Sequence, residues 1–145
     1  MVLVFTQRLT RSTPLKADLI LALTAEQRLR GYQKISLSDH PAIYLRLPRG
    51  IVLGEGDLLQ SEDQGAIARI VAKPEPVVTV TAANSLDLLR AAYHLGNRHV
   101  ALEITETYLR FSPDAVLQSM VMQLGLSIQE EIVPLNPERG AYDHH

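Results

Sequence analysis

Residues 93–103 read YHLGNRHVALE, and this stretch decides how the second half of the chain is organised. Apolar residues at helical spacing lead up to it, so we predict a helix over residues 85–95. Gly96 fits the position just past a helix end, where a left-handed backbone favours a residue without a β-carbon. After Gly96 the apolar period changes from 3.6 to 2. This change predicts a strand over residues 99–104, with His99 as its first residue.

The predicted helix has a polar and an apolar side. Asn84 or Ser85 is a suitable N-cap. On the polar side, Asp87, Arg90 and His94 recur at helical spacing and are expected to face solvent. The other side is expected to pack on the core and carries Leu86, Leu88, Leu89, Ala92, Tyr93 and Leu95.

The alternation of the predicted strand indicates where His99 points. Val100, Leu102 and Ile104 share one face, which we expect to turn toward the helix. His99 and Glu103 share the other face. We therefore expect His99 on the sheet face that the helices leave uncovered. Glu103 is a candidate acceptor for an imidazole N–H there, with a solvated carboxylate as the commoner alternative.

The rest of the second half alternates strands and helices. Ser112 and Pro113 suit the N-cap and first position of a second helix, and Gly125 suits its end. The predicted elements are a strand at 77–81, the helix at 85–95, strands at 99–104 and 108–111, a helix at 113–124 and a strand at 126–132. This βαββαβ order is that of a ferredoxin-like fold, in which both helices cover one face of an antiparallel sheet.

The first half shows short apolar alternations separated by frequent turns. Strand-like runs occur at 2–5, 19–23, 35–37, 43–47, 51–53 and 66–72. Residues 24–27 resemble a helical capping box, with a strand as the alternative for that segment. This pattern predicts a small all-β sandwich or barrel. Because Pro74 and Pro76 oppose both helix and central strand, we predict an α+β protein with domains at residues 1–74 and 75–145.

The composition limits the classes of function. The 145 residues carry a formal net charge of −2, so no basic excess marks nucleic-acid or membrane-surface binding. The sequence has no cysteine, which leaves imidazole and carboxylate as the strong metal ligands. Residues 1–5 are too short for a signal peptide, and no apolar run approaches the roughly 20 residues that cross a bilayer. The sequence thus predicts a soluble cytoplasmic protein.

Three motifs carry a resemblance to a known family. They are residues 96–100 (GNRHV), residues 45–50 (LRLPRG) followed by residues 56–57 (GD), and residues 140–145 (GAYDHH). In this order they resemble the urease accessory protein E family, the nickel metallochaperones of urease maturation. The resemblance covers the chain from near Leu21 to the C-terminus. It implies a peptide-binding first domain and a ferredoxin-like, metal-binding second domain that dimerises.

The resemblance also implies a site. His99 corresponds by position to the family histidine that binds nickel at the dimer interface, so Ni(II) is expected between the His99 side chains of two copies. Some members have further histidines early in the second helix, where this chain has residues 109–116 (LRFSPDAV), so that extra site is not expected. His144 and His145 are expected as supplementary ligands, with an uninvolved chain end as the alternative. Zn(II) and Cu(II) are possible substitutes, because imidazole suits them as well.

The sequence-based hypothesis is therefore a non-enzymatic metallochaperone. A homodimer, with a dimer of dimers around a shared ion left open, is expected to carry nickel to the urease apoprotein and other urease accessory proteins. No nucleophile–base pair or acid–base carboxylate motif predicts catalysis. The alternative is a ferredoxin-like adaptor that binds RNA or peptide. Against it, the candidate strands lack the stacked aromatics and basic rim of RNA readers.

Overall fold

The computed structural model describes residues 2–10 and 15–139 of the chain. Within these ranges the backbone forms two compact units, residues 2–72 and residues 73–139. Each unit has a hydrophobic core of its own. In the part of the chain that the structure describes, no helix is long and apolar enough to cross a membrane.

The first unit is a six-stranded mixed sheet with one short helix. Its elements are β1 (Leu3–Arg8), β2 (Leu19–Leu23), α1 (Ala25–Arg28), β3 (Tyr32–Ile35), β4 (Ile43–Arg46), β5 (Leu58–Ser61) and β6 (Ile67–Ala72). The strand order is β2-β6-β5-β1-β4-β3, with parallel pairs β1–β4 and β2–β6 and antiparallel pairs elsewhere. Side chains from alternate strand positions form its core, among them Phe5, Leu21, Leu23, Ile43, Leu45, Leu59 and Ile70. The prediction of an all-β first domain is confirmed.

Helix α1 resolves the open alternative at residues 24–27. The Thr24 hydroxyl accepts the N–H of Gln27 at 3.2 Å, and the Gln27 side-chain oxygen accepts the N–H of Thr24 at 2.8 Å. This reciprocal pair is a capping box. The strand predicted at residues 51–53 is wrong. These residues form a loop. The N–H of Leu53 donates to the carbonyl of Arg28 at 2.9 Å, and the Leu53 side chain is buried in the core.

The second unit has the predicted order of elements. They are β7 (Glu75–Thr81), α2 (Ser85–Gly96), β8 (Glu103–Ile104), β9 (Leu109–Phe111), α3 (Ala115–Gln123) and β10 (Ser127–Val133). All strand pairs are antiparallel, in the order β10-β7-β9-β8, so the first strand of the unit lies between the last and the third. This arrangement is ferredoxin-like, and the predicted α+β fold class is confirmed.

Both helices pack on one face of this sheet. The core between them combines strand residues Val78, Val80, Leu109 and Phe111 with helix residues Leu88, Ala91, Leu95, Leu117 and Val121. Strand residues of the opposite parity, such as Thr79 and Arg110, lie on the other face, which we call the open face.

Helix α3 begins at an aspartate N-cap and ends at a glycine. The predicted N-cap at Ser112 is wrong, because the Asp114 carboxylate accepts the N–H groups of Val116 and Leu117 at 2.9 and 3.1 Å and starts the helix two residues later. Gly125 ends the helix as predicted, with a φ of 89°.

Candidate metal site around His99

The turn after α2 differs from the predicted one. The helix continues through Gly96, and the N–H groups of Arg98 and His99 donate to the carbonyls of Leu95 and Gly96 at 3.1 and 3.0 Å. These i to i−3 bonds tighten the helix end into a 3₁₀ turn. His99, rather than Gly96, then takes the left-handed conformation, with a φ of 58°. The prediction that His99 begins a strand is therefore wrong, and β8 starts only at Glu103.

The backbone of His99 is strained. A left-handed conformation costs a residue with a β-carbon roughly 1–2 kcal/mol, whereas glycine adopts it readily. The His99 side chain is exposed, so burial in the core does not offset this cost. Strain at an exposed residue is a feature that functional sites share.

The outward side of α2 is apolar, contrary to the prediction that this side packs on the core. Leu86, Leu89 and Tyr93 are 52, 67 and 67% exposed, and their spacing places them along one face, called the α2 stripe below. The side that packs on the sheet carries Leu88, Ala91 and Leu95. A signal in the sequence was available: the apolar residues of α2 form a stripe broader than one packed face needs, so part of it is left to face outward.

The other histidines differ in position. His94 lies on the exposed side of α2, as predicted, and its ring meets the Tyr93 ring edge to face at 5.3 Å. His40 is exposed in the turn after β3. His144 and His145, the predicted supplementary ligands, lie outside the described residues. Within residues 2–10 and 15–139, no group of three or more His, Asp or Glu side chains is arranged to hold a metal ion.

Glu103 is buried rather than solvated, being 9% exposed. Its Oε2 accepts the Tyr108 hydroxyl at 3.2 Å and lies 3.7 Å from the Arg110 guanidinium. Its Oε1 accepts the N–H of Asn136 at 2.9 Å. Both carboxylate oxygens thus have partners other than His99. The expectation that Glu103 accepts an imidazole N–H gains no support from this geometry.

Arg110 is the centre of a polar cluster on the open face. Its Nε donates to the Thr79 hydroxyl at 3.0 Å, and its Nη2 lies 3.5 Å from the Glu131 carboxylate. The Arg110 guanidinium also stacks 4.3 Å from the centre of the Tyr108 ring. Two carboxylates, from Glu103 and Glu131, therefore face one guanidinium. Sequence reasoning missed this cluster, because strand parity alone does not show which polar residues are covered.

Comparison with known proteins covers both units. A family described as the UreE urease accessory protein, N-terminal domain, matches residues 5–73, and the corresponding C-terminal domain matches residues 75–145. Curated relatives named Urease accessory protein UreE align over nearly the full chain. Those of a Nostoc species and of Nostoc punctiforme are each 52% identical over 143 residues, which is 99% of this chain and 97% of the relative. That of Nitrosococcus oceani is 45% identical over 145 residues, covering 99% of this chain and 85% of the relative.

Both domain families match in the order in which the two units occur, and together they span almost the whole chain. The resemblance read from the motifs is therefore confirmed, and the chain belongs to the UreE urease accessory protein family.

Proposed function

We propose that this protein is a non-enzymatic metallochaperone that binds Ni(II) between two copies of the chain and delivers it to the urease assembly complex. Family membership supports a role in urease maturation. The proposed partners are the urease apoprotein and other urease accessory proteins, in the cytoplasm.

The observation that carries the proposal is the position of His99 at the end of α2. One imidazole supplies one ligand, whereas nickel and zinc take about four or more. The exposed α2 stripe offers an apolar surface that a second copy of the chain can cover. In a two-fold pair, residue i of one copy contacts residue j of the other, and only residues at the axis meet their own copies. The proposed dimer therefore has its axis beside His99, at the end of the α2 stripe.

The electrostatic field at the C-terminal end of α2, next to His99, favours a cation. The carbonyl groups of the last turn of α2 give its C-terminal end a partial negative charge. The backbone of His99 adjoins this end, since its N–H donates to the carbonyl of Gly96 at 3.0 Å. A shallow, exposed site of this kind suits a carrier, because a closed set of ligands releases its ion slowly.

The ligand chemistry alone does not select nickel. Imidazole also binds zinc and copper, and copper binds most N-donor sites more tightly than nickel does. In the proposed function, selectivity arises from docking to the partner proteins and from the metal supplied to the cell. Because only the neutral imidazole binds a metal, nickel affinity is expected to fall as the solution is acidified.

The open face argues against the alternative of an RNA-binding adaptor. RNA readers of this architecture present stacked aromatic rings on that face. Here the face carries the carboxylates of Glu103 and Glu131, which repel phosphate, and Arg110 is already paired with both.

A comparison of two histidine variants tests the proposal. His99→Ala is expected to abolish tight nickel binding, measured by isothermal titration calorimetry together with the sedimentation mass. His94→Ala is the matched control, because it removes an exposed histidine of the same helix and leaves the turn intact. The wild-type protein and the control are expected to form a pair of 16.1 kDa chains that binds nickel. Nickel affinity that is unchanged in His99→Ala refutes the proposal.

A further inference from the structure

Strand β3 forms one edge of the six-stranded sheet, and within the described residues only β4 pairs with it. The N–H of Leu47 donates to the carbonyl of Gly31 at 3.0 Å, so this pair is a hydrogen-bonded pair of the antiparallel ladder. Because bonded and non-bonded pairs alternate, Gln33 bonds to β4, whereas the N–H and C=O groups of Tyr32 and Lys34 point away from it. The edge therefore offers the main-chain groups of two residues to another strand.

The outer face beside this edge carries two cations and two aromatic rings. In the register of β3 and β4, Tyr32 lies opposite Arg46, and Lys34 lies opposite Tyr44. These four side chains, called the β3–β4 patch below, point away from the core, because Leu45 between the two β4 residues is buried. The Arg46 guanidinium lies 5.5 Å from the centre of the Tyr44 ring. Neither cation forms an ion pair with a carboxylate in the described part of the chain, so the patch is positively charged.

An open cleft of about 570 Å³ adjoins the patch at the start of β3. Its lining is largely apolar and includes Leu29, Tyr32, Leu47, Pro48 and Ile51. Leu29 is 61% exposed and Tyr32 is 71% exposed, so apolar surface is left uncovered there. A cleft of this volume is large enough to hold an apolar side chain. Because Tyr32 belongs to both the cleft and the patch, the two form one continuous surface along the edge.

We propose that β3 is the docking edge for an extended acidic segment of a partner protein. The segment adds to the sheet as a further strand, places its carboxylates beside Lys34 and Arg46, and seats an apolar side chain in the cleft. In strand addition of this kind, main-chain hydrogen bonds give affinity, and sites for alternate side chains give specificity. The inference concerns the first unit and does not rest on the nickel site.

Two other occupants fit this surface less well. A lysine on an edge strand opposes pairing between sheet edges, and a second copy of the chain would bring the cations of two patches together. A strand that carries carboxylates turns this repulsion into attraction. Single-stranded nucleic acid suits cations and aromatic rings, but it has no strand backbone to pair with the free groups of Tyr32 and Lys34. The free main-chain groups therefore favour an acidic peptide.

Hydrogen exchange of the full chain, followed by NMR, tests where the segment binds. The probe is an eight-residue peptide in which glutamate and threonine alternate and the last residue is an amidated leucine, because a strand antiparallel to β3 ends at the cleft. In the free protein the Gln33 amide is expected to be protected and the Tyr32 and Lys34 amides to exchange fast. Saturating peptide is expected to slow exchange at Tyr32 and Lys34 at least about fivefold, the effect of one net hydrogen bond. Exchange at these two amides that is unchanged by the peptide overturns the inference.

Charge variants test the chemistry of the segment, with peptide affinity measured by fluorescence anisotropy. Arg46→Glu is expected to weaken binding about fivefold, the effect of losing one favourable charge pair. Arg69→Glu is the matched control, because Arg69 is an exposed cation on β6, which three strands separate from β3. Equal losses in the two variants overturn the inference. A peptide with lysine in place of glutamate, or single-stranded oligothymidylate, that binds as tightly as the acidic peptide also overturns it.

A proline at position 34 tests the main-chain contact separately from the charge. Lys34→Gln removes the charge and keeps the N–H, whereas Lys34→Pro also removes the N–H. That N–H lies outside the ladder with β4, so proline is compatible with this edge position. Lys34→Pro is expected to bind the peptide about fivefold more weakly than Lys34→Gln does, the effect of one net hydrogen bond. Equal affinities contradict strand addition, and the exchange experiment on the unmodified chain decides the question if the proline variant does not fold.

Discussion

Replacing His99 by glycine is expected to give a more stable protein than replacing it by alanine, while both changes remove the proposed metal ligand. His99 has a φ of 58°, a conformation that costs a residue with a β-carbon roughly 1–2 kcal/mol. Glycine relieves this strain but gives the unfolded chain more freedom, which offsets about 0.4–1 kcal/mol. The net expectation is that His99→Gly is about 0.5–1 kcal/mol more stable than His99→Ala, which keeps the strain.

The two variants form a matched pair, since both remove the imidazole and only one removes the β-carbon. Unfolding of the second unit by urea, followed through the NMR amide signals of β7, gives the free energy of unfolding for each apo protein. Nickel titration of the same samples is expected to show lost affinity in both. The difference in free energy then reports the relieved backbone strain less the added freedom of the unfolded glycine chain, because the loss of ligand is common to the two.

Two results contradict this reasoning. If His99→Gly is no more stable than His99→Ala, the left-handed turn does not store the strain assigned to it. If either variant binds nickel as the wild-type protein does, His99 is not the ligand, whatever its backbone conformation.

Three further predictions address other parts of the molecule. Leu89→Glu on the α2 stripe is expected to give a monomer of 16.1 kDa in sedimentation, whereas Arg90→Glu, off the stripe, retains the paired mass. Gly125→Ala is expected to cost about 1 kcal/mol in urea unfolding, because φ is 89° and no atom lies within 4 Å of the added carbon. Hydrogen bonds, chiefly from the Ser61 hydroxyl, hold the pKa of Asp63 below its usual value of 3.8. Asp63→Ala is therefore expected to lower stability at neutral pH, and its difference from the wild-type protein in urea unfolding is expected to shrink as the pH falls from 3.8 through the folded-state pKa.

The sequence predicted the structure best where a pattern of neighbouring residues determines a strand, a helix cap or a helix end. The strand predicted at residues 77–81 lies within β7, and the glycine at position 125 led to the correct helix end. The capping box at residues 24–27 allowed the helix of the first unit to be considered, although a strand remained an alternative. In each case neighbouring residues suffice, so no knowledge of distant contacts is needed.

The sequence predicted the structure least well where contacts between residues far apart in the chain determine which side chains are buried. Leu86 and Leu88 are chemically alike, and only the position of the sheet determines that Leu88 is buried and Leu86 exposed. The helix end was predicted too early, because a glycine such as Gly96 is common just past a helix end. The last hydrogen-bonded turn instead ends three residues later, at His99, which takes the left-handed conformation. The buried Glu103 carboxylate accepts a hydrogen bond from the N–H of Asn136, 33 residues away along the chain.

The pairing of β7 with β10 has a mechanical consequence. Glu75 lies opposite Val133, so the points where the chain enters and leaves this sheet are adjacent. Force applied at these two points would peel the ladder one rung at a time instead of shearing all its hydrogen bonds together.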